Sequence, residues 1–230
     1  MALIIIVIQP CKRTSSPVNT EKPEGPRILF TGIIPSDVSK LTEVIINLGG
    51  GVVTSVKDCT HLVTRKIIRT VKFLCAISVA KYVLTPEWIE KSQQSNTFVD
   101  PSEFTVKDSF SEDIYDMDLI TSLQRATTRP LLQDILVYVT QNVEPSPSSM
   151  KEIIQCAGGQ VLTTVPSQQY LAELKCKAVE QGSPILLIIS CDKDYQLCSE
   201  FIRKGFDIHN AELVLSGVLK QRLDLDLYKL

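Results

Sequence analysis

The chain has 230 residues, a net charge of -2 at neutral pH, 44% hydrophobic and 22% charged residues. That length suits one large or two ordinary soluble domains, and the near-balance of charge excludes a broad surface that grips nucleic acid through many phosphates. The seven cysteines are odd in number and form no C-x-x-C pair. This argues for reduced, packing thiols in the cytosol or nucleus and against a zinc site or a disulfide framework.

Residues 2–8 form an unbroken apolar run. It is too short to span a bilayer and lacks a cationic lead or cleavage pattern, so neither a membrane span nor a secretory leader is expected. Residues 9–26 carry Pro10, Pro17, Pro23 and Pro26 and read as linker. Arg27 to Phe30, closed by Thr31-Gly32, then reads as a buried strand. Ser36 or Asp37 is expected to cap a helix through Leu48, with Val38, Leu41, Val44 or Ile45, and Leu48 on one face. The glycines 49–51 stop it, Val52-Val53 begins a second strand and His61 to Thr64 a third.

Arg65 to Lys81 combines four cations in its first eight residues with a helix-length apolar run, and no acidic residue lies between Asp58 and Glu87. A helix starting near Thr70 puts Lys72 in its first turn, where the macrodipole disfavours a cation. A bound anion such as phosphate would remove that conflict, because free N–H groups and the lysine would face the same negative charge. A solvated basic corner is the plain alternative. Tyr82 to Leu84 is a fourth strand, and Thr85-Pro86-Glu87-Trp88 starts a further helix with Thr85 as cap and Pro86 at its first position.

The same grammar then recurs. Ile135 to Thr140 repeats the first strand, Ser148 or Ser149 precedes a helix over Met150 to Cys156, and Gly158-Gly159 ends it. Thr31 to Thr140 and Gly49 to Gly158 are both separated by 109 residues. Ile185 to Ser190 matches the His61 strand, and Asn210 to Leu213 matches Thr85 to Trp88 at a separation of 125. The 16 extra residues fall in Val165 to Ser183, expected to be a long polar loop. Between the repeats, Met117, Ile120 and Leu123 suggest a linker helix docked on both. Strands alternating with helices give two α/β units with mainly parallel sheets. The expected division is 1–26 extension, 27–100 first unit, 101–131 linker and 132–230 second unit.

Thr31-Gly32, the Gly49-Gly50 helix stop, His61 to Thr64, Arg69-Thr70-Val71-Lys72-Phe73-Leu74 and Thr85 to Trp88 resemble the BRCT domain. The second repeat resembles another, so the chain is similar to a tandem BRCT module from about residue 27 onward. The resemblance implies two four-stranded parallel sheets flanked by helices, packed head to tail through a three-helix interface. It also implies a phosphoserine-peptide reader in which Thr31, the Gly32 N–H and Lys72 hold the phosphate. Arg69 would contact the ligand main chain or a terminal carboxylate three residues beyond the phosphoserine. Leu74, Pro145 and Leu215 would line the pocket for that third residue.

Implied partners are phosphoserine-containing proteins, among them the phosphorylated tail of the histone H2A variant X. A histone methyltransferase complex and DNA-repair proteins are implied through the full-length protein, in the nucleus. Direct DNA binding and membrane binding are not expected. The second repeat has Gln141 after Thr140 and Leu197 at the position of Lys72, so it is expected to lack the phosphate site and serve as brace.

No phosphate-binding G-x-x-x-x-G-K-[ST] loop, G-x-S-x-G elbow or metal-ligand spacing occurs, so neither catalysis, a cofactor nor a metal is expected. Asp113, Asp116 and Asp118 read as a solvated linker face. The rival is a phosphate-independent interaction or DNA-end-binding module.

Overall fold

A computed structural model describes residues 25–182 and 184–230. The apolar run at 2–8, most of the 9–26 linker and Cys11 lie outside the described residues. The first sheet contains β1 (Arg27–Phe30), β2 (Gly51–Val52), β3 (His61–Val63) and β4 (Tyr82–Leu84) in the order β2-β1-β3-β4. The second contains β5 (Leu136–Val139), β6 (Gln160–Leu162), β7 (Leu186–Ile189) and β8 (Ile208–His209) in the order β6-β5-β7-β8. Every neighbouring strand pair is parallel, so each connection is a crossover.

In the first unit the crossovers are α1 (Pro35–Asn47) and α2 (Val71–Val79), and α3 (Glu87–Gln94) follows β4. α1 does not begin with a side-chain cap at Ser36 or Asp37. Ile34 is the extended boundary residue and Pro35 takes the first turn, where its fixed φ suits the helix and its missing N–H costs nothing. Gly49, at φ 84, turns the chain out of α1. α3 is hydrogen-bonded from Glu87, although Pro86 already has helical dihedrals.

The linker holds two helices rather than one, α4 (Ser109–Tyr115) and α5 (Leu119–Thr128), broken at Asp116 in the left-handed region. Asp118 caps α5 by accepting from the Thr121 N–H at 2.7 Å. That cap sets the phase of the helix. Leu119 and Ser122 are buried, with Met117 and Leu123 partly covered, whereas Ile120 is 54% exposed and lies off the expected face.

The second unit contains α6 (Pro147–Cys156), α7 (Gln168–Gln181), α8 (Ser199–Arg203) and α9 (Glu212–Lys220). Ser146, not Ser148 or Ser149, caps α6, and Pro147 again starts the helix. The expected loop over Val165 to Ser183 is largely α7. Ser167 caps it, Gly182 at φ 62 ends it, and Leu171 and Leu174 anchor one face in a local core with Phe201.

α2 explains the relation of the two units. Its residues Phe73 to Ile77 are all buried, because one side rests on its own sheet and the other on the second unit. It packs against α5, α6 and α9, and one apolar core runs through the interface from Leu62 and Phe73 to Met150 and Val214. The implied three-helix interface is therefore α2, α6 and α9, with α5 docked on α2 and α9. Polar bonds clamp both ends of α2 to α9: Arg69, just before α2, to Glu212 at the start of α9, and Gln221, just after α9, to Ser78 near the end of α2. Cys59, Cys75 and Cys156 are buried in this core.

Candidate functional site

β1 ends at Phe30, so Thr31 and Gly32 emerge at the carboxyl edge of the sheet, the edge at which parallel α/β sheets bind ligands. The Thr31 hydroxyl lies 3.2 Å from the hydroxyl of Thr70. Thr70 is the cap of α2 and accepts from the Phe73 N–H at 3.2 Å. One hydroxyl pair thus ties the strand end to the helix start. Gly32 has φ 65, and a Cβ there would sit 2.9 Å from Ile68 Cδ1 and 3.5 Å from Thr64 Oγ1. A side chain at this position would be strained and would crowd the corner.

The N–H groups of Gly32, Val71 and Lys72 have no hydrogen-bond partner among the described residues. Lys72 is exposed and makes no ion pair among them. The corner therefore offers unpaired backbone donors, a positive helix end and one free ammonium. A compact anion is the chemistry that suits it.

Arg69 is engaged within the chain. Its Nη2 donates to both carboxylate oxygens of Glu212, at 2.9 and 2.8 Å, and its guanidinium lies 5.6 Å from the centre of the Tyr115 ring. It bridges the units. Leu74 and Leu215 are buried in the shared interface core, drawn from α2 and α9. Pro145 is half-buried on the loop before α6, next to the buried Val143.

The second unit shows what replaces the corner. Thr140 Oγ1 lies 3.1 Å from Ser190 Oγ. Asn142, in the loop after β5, gives its N–H and its side-chain amide to the Asp194 carboxylate at 2.8 and 2.6 Å. Asp194 is 2% exposed, and the Asn142 side-chain hydrogen bond is the main reason its carboxyl is held below the usual carboxylate range. Where the first unit has α2, this unit has a 3-10 helix over Asp192–Cys198 followed by the short α8. Leu197 is 62% exposed and offers nothing to an anion.

Thr31, Gly32 and Lys72, singled out from the sequence, flank this corner, whereas Thr70, Glu212 and Asp194 were not singled out as functional residues. Thr70 had a signal, as a capping residue directly before an apolar helix. Glu212 and Arg69 are 143 residues apart, and nothing local to either announces the pair.

Two family models match, one on each half: a BRCT domain over residues 130–229, and the Regulator of Ty1 transposition protein 107 BRCT domain over residues 10–106. The chain is 43% identical to PAX-interacting protein 1 of Bos taurus over 204 residues, 89% of this chain and 20% of that protein. It is 36% identical to Mediator of DNA damage checkpoint protein 1 of Rattus norvegicus over 197 residues, 86% of this chain and 14% of that protein. The chain thus spans about a fifth or less of these relatives. Among solved structures, the S. pombe Brc1 BRCT5-BRCT6 domains match with a TM-score of 0.70 at 25% identity, covering 88% of this chain and 96% of that one. A complex of Rtt107p with phosphorylated histone H2A shares the fold, with a TM-score of 0.52 at 15% identity, covering 89% and 93%.

Proposed function

The chain belongs to the BRCT family, with one unit in each half, and on that premise we propose that it is a phosphoserine-peptide-binding module. Residues 27–100 form the reading unit, 101–131 the linker and 132–230 the brace. Thr31 and the Gly32 N–H hold two phosphate oxygens, and Lys72 pairs with the phosphate charge. A phosphoserine carries about -1.5 to -2 charges and three acceptor oxygens, which two neutral donors and one ammonium answer. Arg69, Leu74, Pro145 and Leu215 receive the third residue after the phosphoserine, so binding depends on how the units are joined.

The observation that carries this reading is the unpaired Lys72, in the first turn of α2 beside the Thr31–Thr70 hydroxyl pair. The second unit supports it by contrast, since its corresponding loop is closed by its own Asp194. The phosphorylated tail of the histone H2A variant X is the proposed ligand, in keeping with the solved complex of Rtt107p with phosphorylated histone H2A. The module is a non-catalytic, nuclear part of the DNA-damage response. Links to DNA-repair proteins and a histone methyltransferase complex run through the longer protein.

The test is binding of a phosphoserine peptide, its unphosphorylated twin and a short DNA duplex, each at two salt concentrations. The reading requires phosphate-dependent peptide binding with a shallow salt response. Equal binding of both peptides, or tight duplex binding that falls steeply with salt as several counterions are released, would favour the rival module.

A further inference from the structure

In the second unit a buried acceptor without a partner belongs to the wall of a cavity. His209, the last residue of β8, is 3% exposed. Its Nε2 lies 3.0 Å from the Leu225 carbonyl oxygen, which can only accept, so Nε2 carries the ring proton. Burial lowers the ring's pKa and favours this neutral form. Nδ1 is then a bare lone pair, and no donor among the described residues reaches it. Buried acceptors in native structures are rarely left so, and each exception calls for a reason.

The cavity holds about 310 Å³ and is walled mainly by apolar side chains, among them Val179 of α7, Leu186 of β7, Phe206 and Leu225. Ile185 and Asp207, which also line it, directly precede β7 and β8, so it opens at the edge of the second sheet where these strands begin. It shares no residue with the phosphate corner or with the surroundings of Arg69. Val179 is 76% exposed, an apolar side chain that the fold leaves uncovered. Leu225 is shared with an adjoining hollow of about 390 Å³, which gives room for a main chain carrying an inserted group.

Apolar walls around one unpaired acceptor suit a flat apolar group with a single donor at its tip. A phenol has that form. A phenyl ring lacks the donor, an aliphatic hydroxyl lacks the area, and a phosphorylated phenol would set oxygen acceptors against Nδ1. We propose that this cavity is a second binding site, which takes a tyrosine side chain of a protein partner and pairs its hydroxyl with His209 Nδ1. Nδ1 is shielded from solvent, so the ring parts the wall side chains as it enters, a rotamer change of the kind common at interfaces. The second unit then binds a partner of its own, independently of the phosphoserine reading.

The experiment titrates N-acetyltyrosine amide, its phenylalanine counterpart and its O-phosphotyrosine counterpart into the native chain, followed by NMR. The tyrosine probe should bind with about millimolar affinity, as its size allows. It should shift the methyl signals of Leu186 and Leu225 and the Nδ1 resonance of His209. The phenylalanine probe should bind about tenfold more weakly, the worth of one hydrogen bond to a buried acceptor. The phosphotyrosine probe should leave these signals unmoved. Val179→Arg, at an exposed position of α7, should keep the fold and phosphoserine-peptide binding while losing the tyrosine probe. Equal affinities for the tyrosine and phenylalanine probes, or shifts centred away from this cavity, overturn the proposal. So does undiminished tyrosine binding in a folded Val179→Arg, or no response of the native chain at about 10 mM probe.

Discussion

Asp194 accepts two hydrogen bonds from Asn142, 52 residues earlier in the chain, at 2.8 Å from its backbone N–H and 2.6 Å from its side-chain amide. The bonded loop follows β5 as the Thr31-Gly32 loop follows β1. In the first unit the Gly32 N–H has no partner among the described residues, whereas in the second the Asp194 carboxylate ties down the loop through Asn142. The two halves share a sheet topology and differ in whether an internal carboxylate occupies this loop.

Substituting Asp194 tests that closure. Asp194→Ala removes both hydrogen bonds that Asn142 donates, and with them the closure of the loop, so the second unit should be destabilised. Because hydrogen bonding holds the Asp194 carboxyl below its ordinary value, its contribution is present above the unfolded carboxyl pKa and fades as pH falls through the folded one. Thermal unfolding should therefore show a larger loss for Asp194→Ala at pH 7 than near pH 2. An equal loss at both would mean that packing, not the carboxylate, holds the loop.

Lys72 is exposed, so Lys72→Met should leave the melting temperature nearly unchanged. Phosphopeptide affinity should fall by about 30-fold, roughly the 2 kcal/mol of a charge-assisted hydrogen bond. Calorimetric titration with unfolding curves separates the two effects. Retained affinity in a folded variant would remove Lys72 from the site.

His61 carries a pH signature of its own. Its ring is stacked on Trp88, with centroids 5.0 Å apart, and its Nδ1 is 2.7 Å from Thr60 Oγ1. Burial, then the nearby Lys81 and Arg27, lower its pKa to about 4. The unfolded chain takes up the proton first, near pH 6.5, so stability should decline as pH falls from about 6.5 to about 4 and flatten below. His61→Gln should reduce that decline, as read by melting temperature against pH. The same slope in the variant would assign it to other groups.

Trp88 is the central aromatic of the first unit. It is 1% exposed, stacks on Phe98 at 5.3 Å, and donates its indole N–H to the Val99 carbonyl at 2.9 Å. Trp88→Ala should cost about 3–5 kcal/mol. That is a large share of an ordinary domain's stability, so phosphopeptide binding should fail together with the fold of this unit. Denaturant unfolding followed by circular dichroism measures the cost, and a loss below 1 kcal/mol would contradict this account of the core.

What was legible in the sequence was what short-range chemistry writes there. Strands such as Arg27 to Phe30, glycine stops, the recurrence and the odd lysine at a helix start each announce themselves within a few residues. α7 was missed because its apolar positions are sparse, although Ser167 and Gly182 mark its two ends. The face of α5 was misjudged because the Asp118 cap fixes where the helix begins, and hence which way Ile120 points. The engagement of Arg69 was invisible because the partner Glu212 arrives through the packing of α2 on α9, far away along the chain. Local grammar marks the proposed phosphate corner, while the surroundings of Arg69 depend on tertiary packing.

The central claim is that phosphate is held by the first unit alone, at the start of α2. Titration of the isotopically labelled chain with a phosphoserine peptide, followed amide by amide in NMR, tests it most directly. The amides of Gly32, Val71 and Lys72 should show the largest shifts, with Gln141, Asn142 and Leu197 unmoved and the unphosphorylated peptide silent at all of them. Phosphate-dependent shifts centred on the loop after β5, or equal shifts with the unphosphorylated peptide, would contradict it.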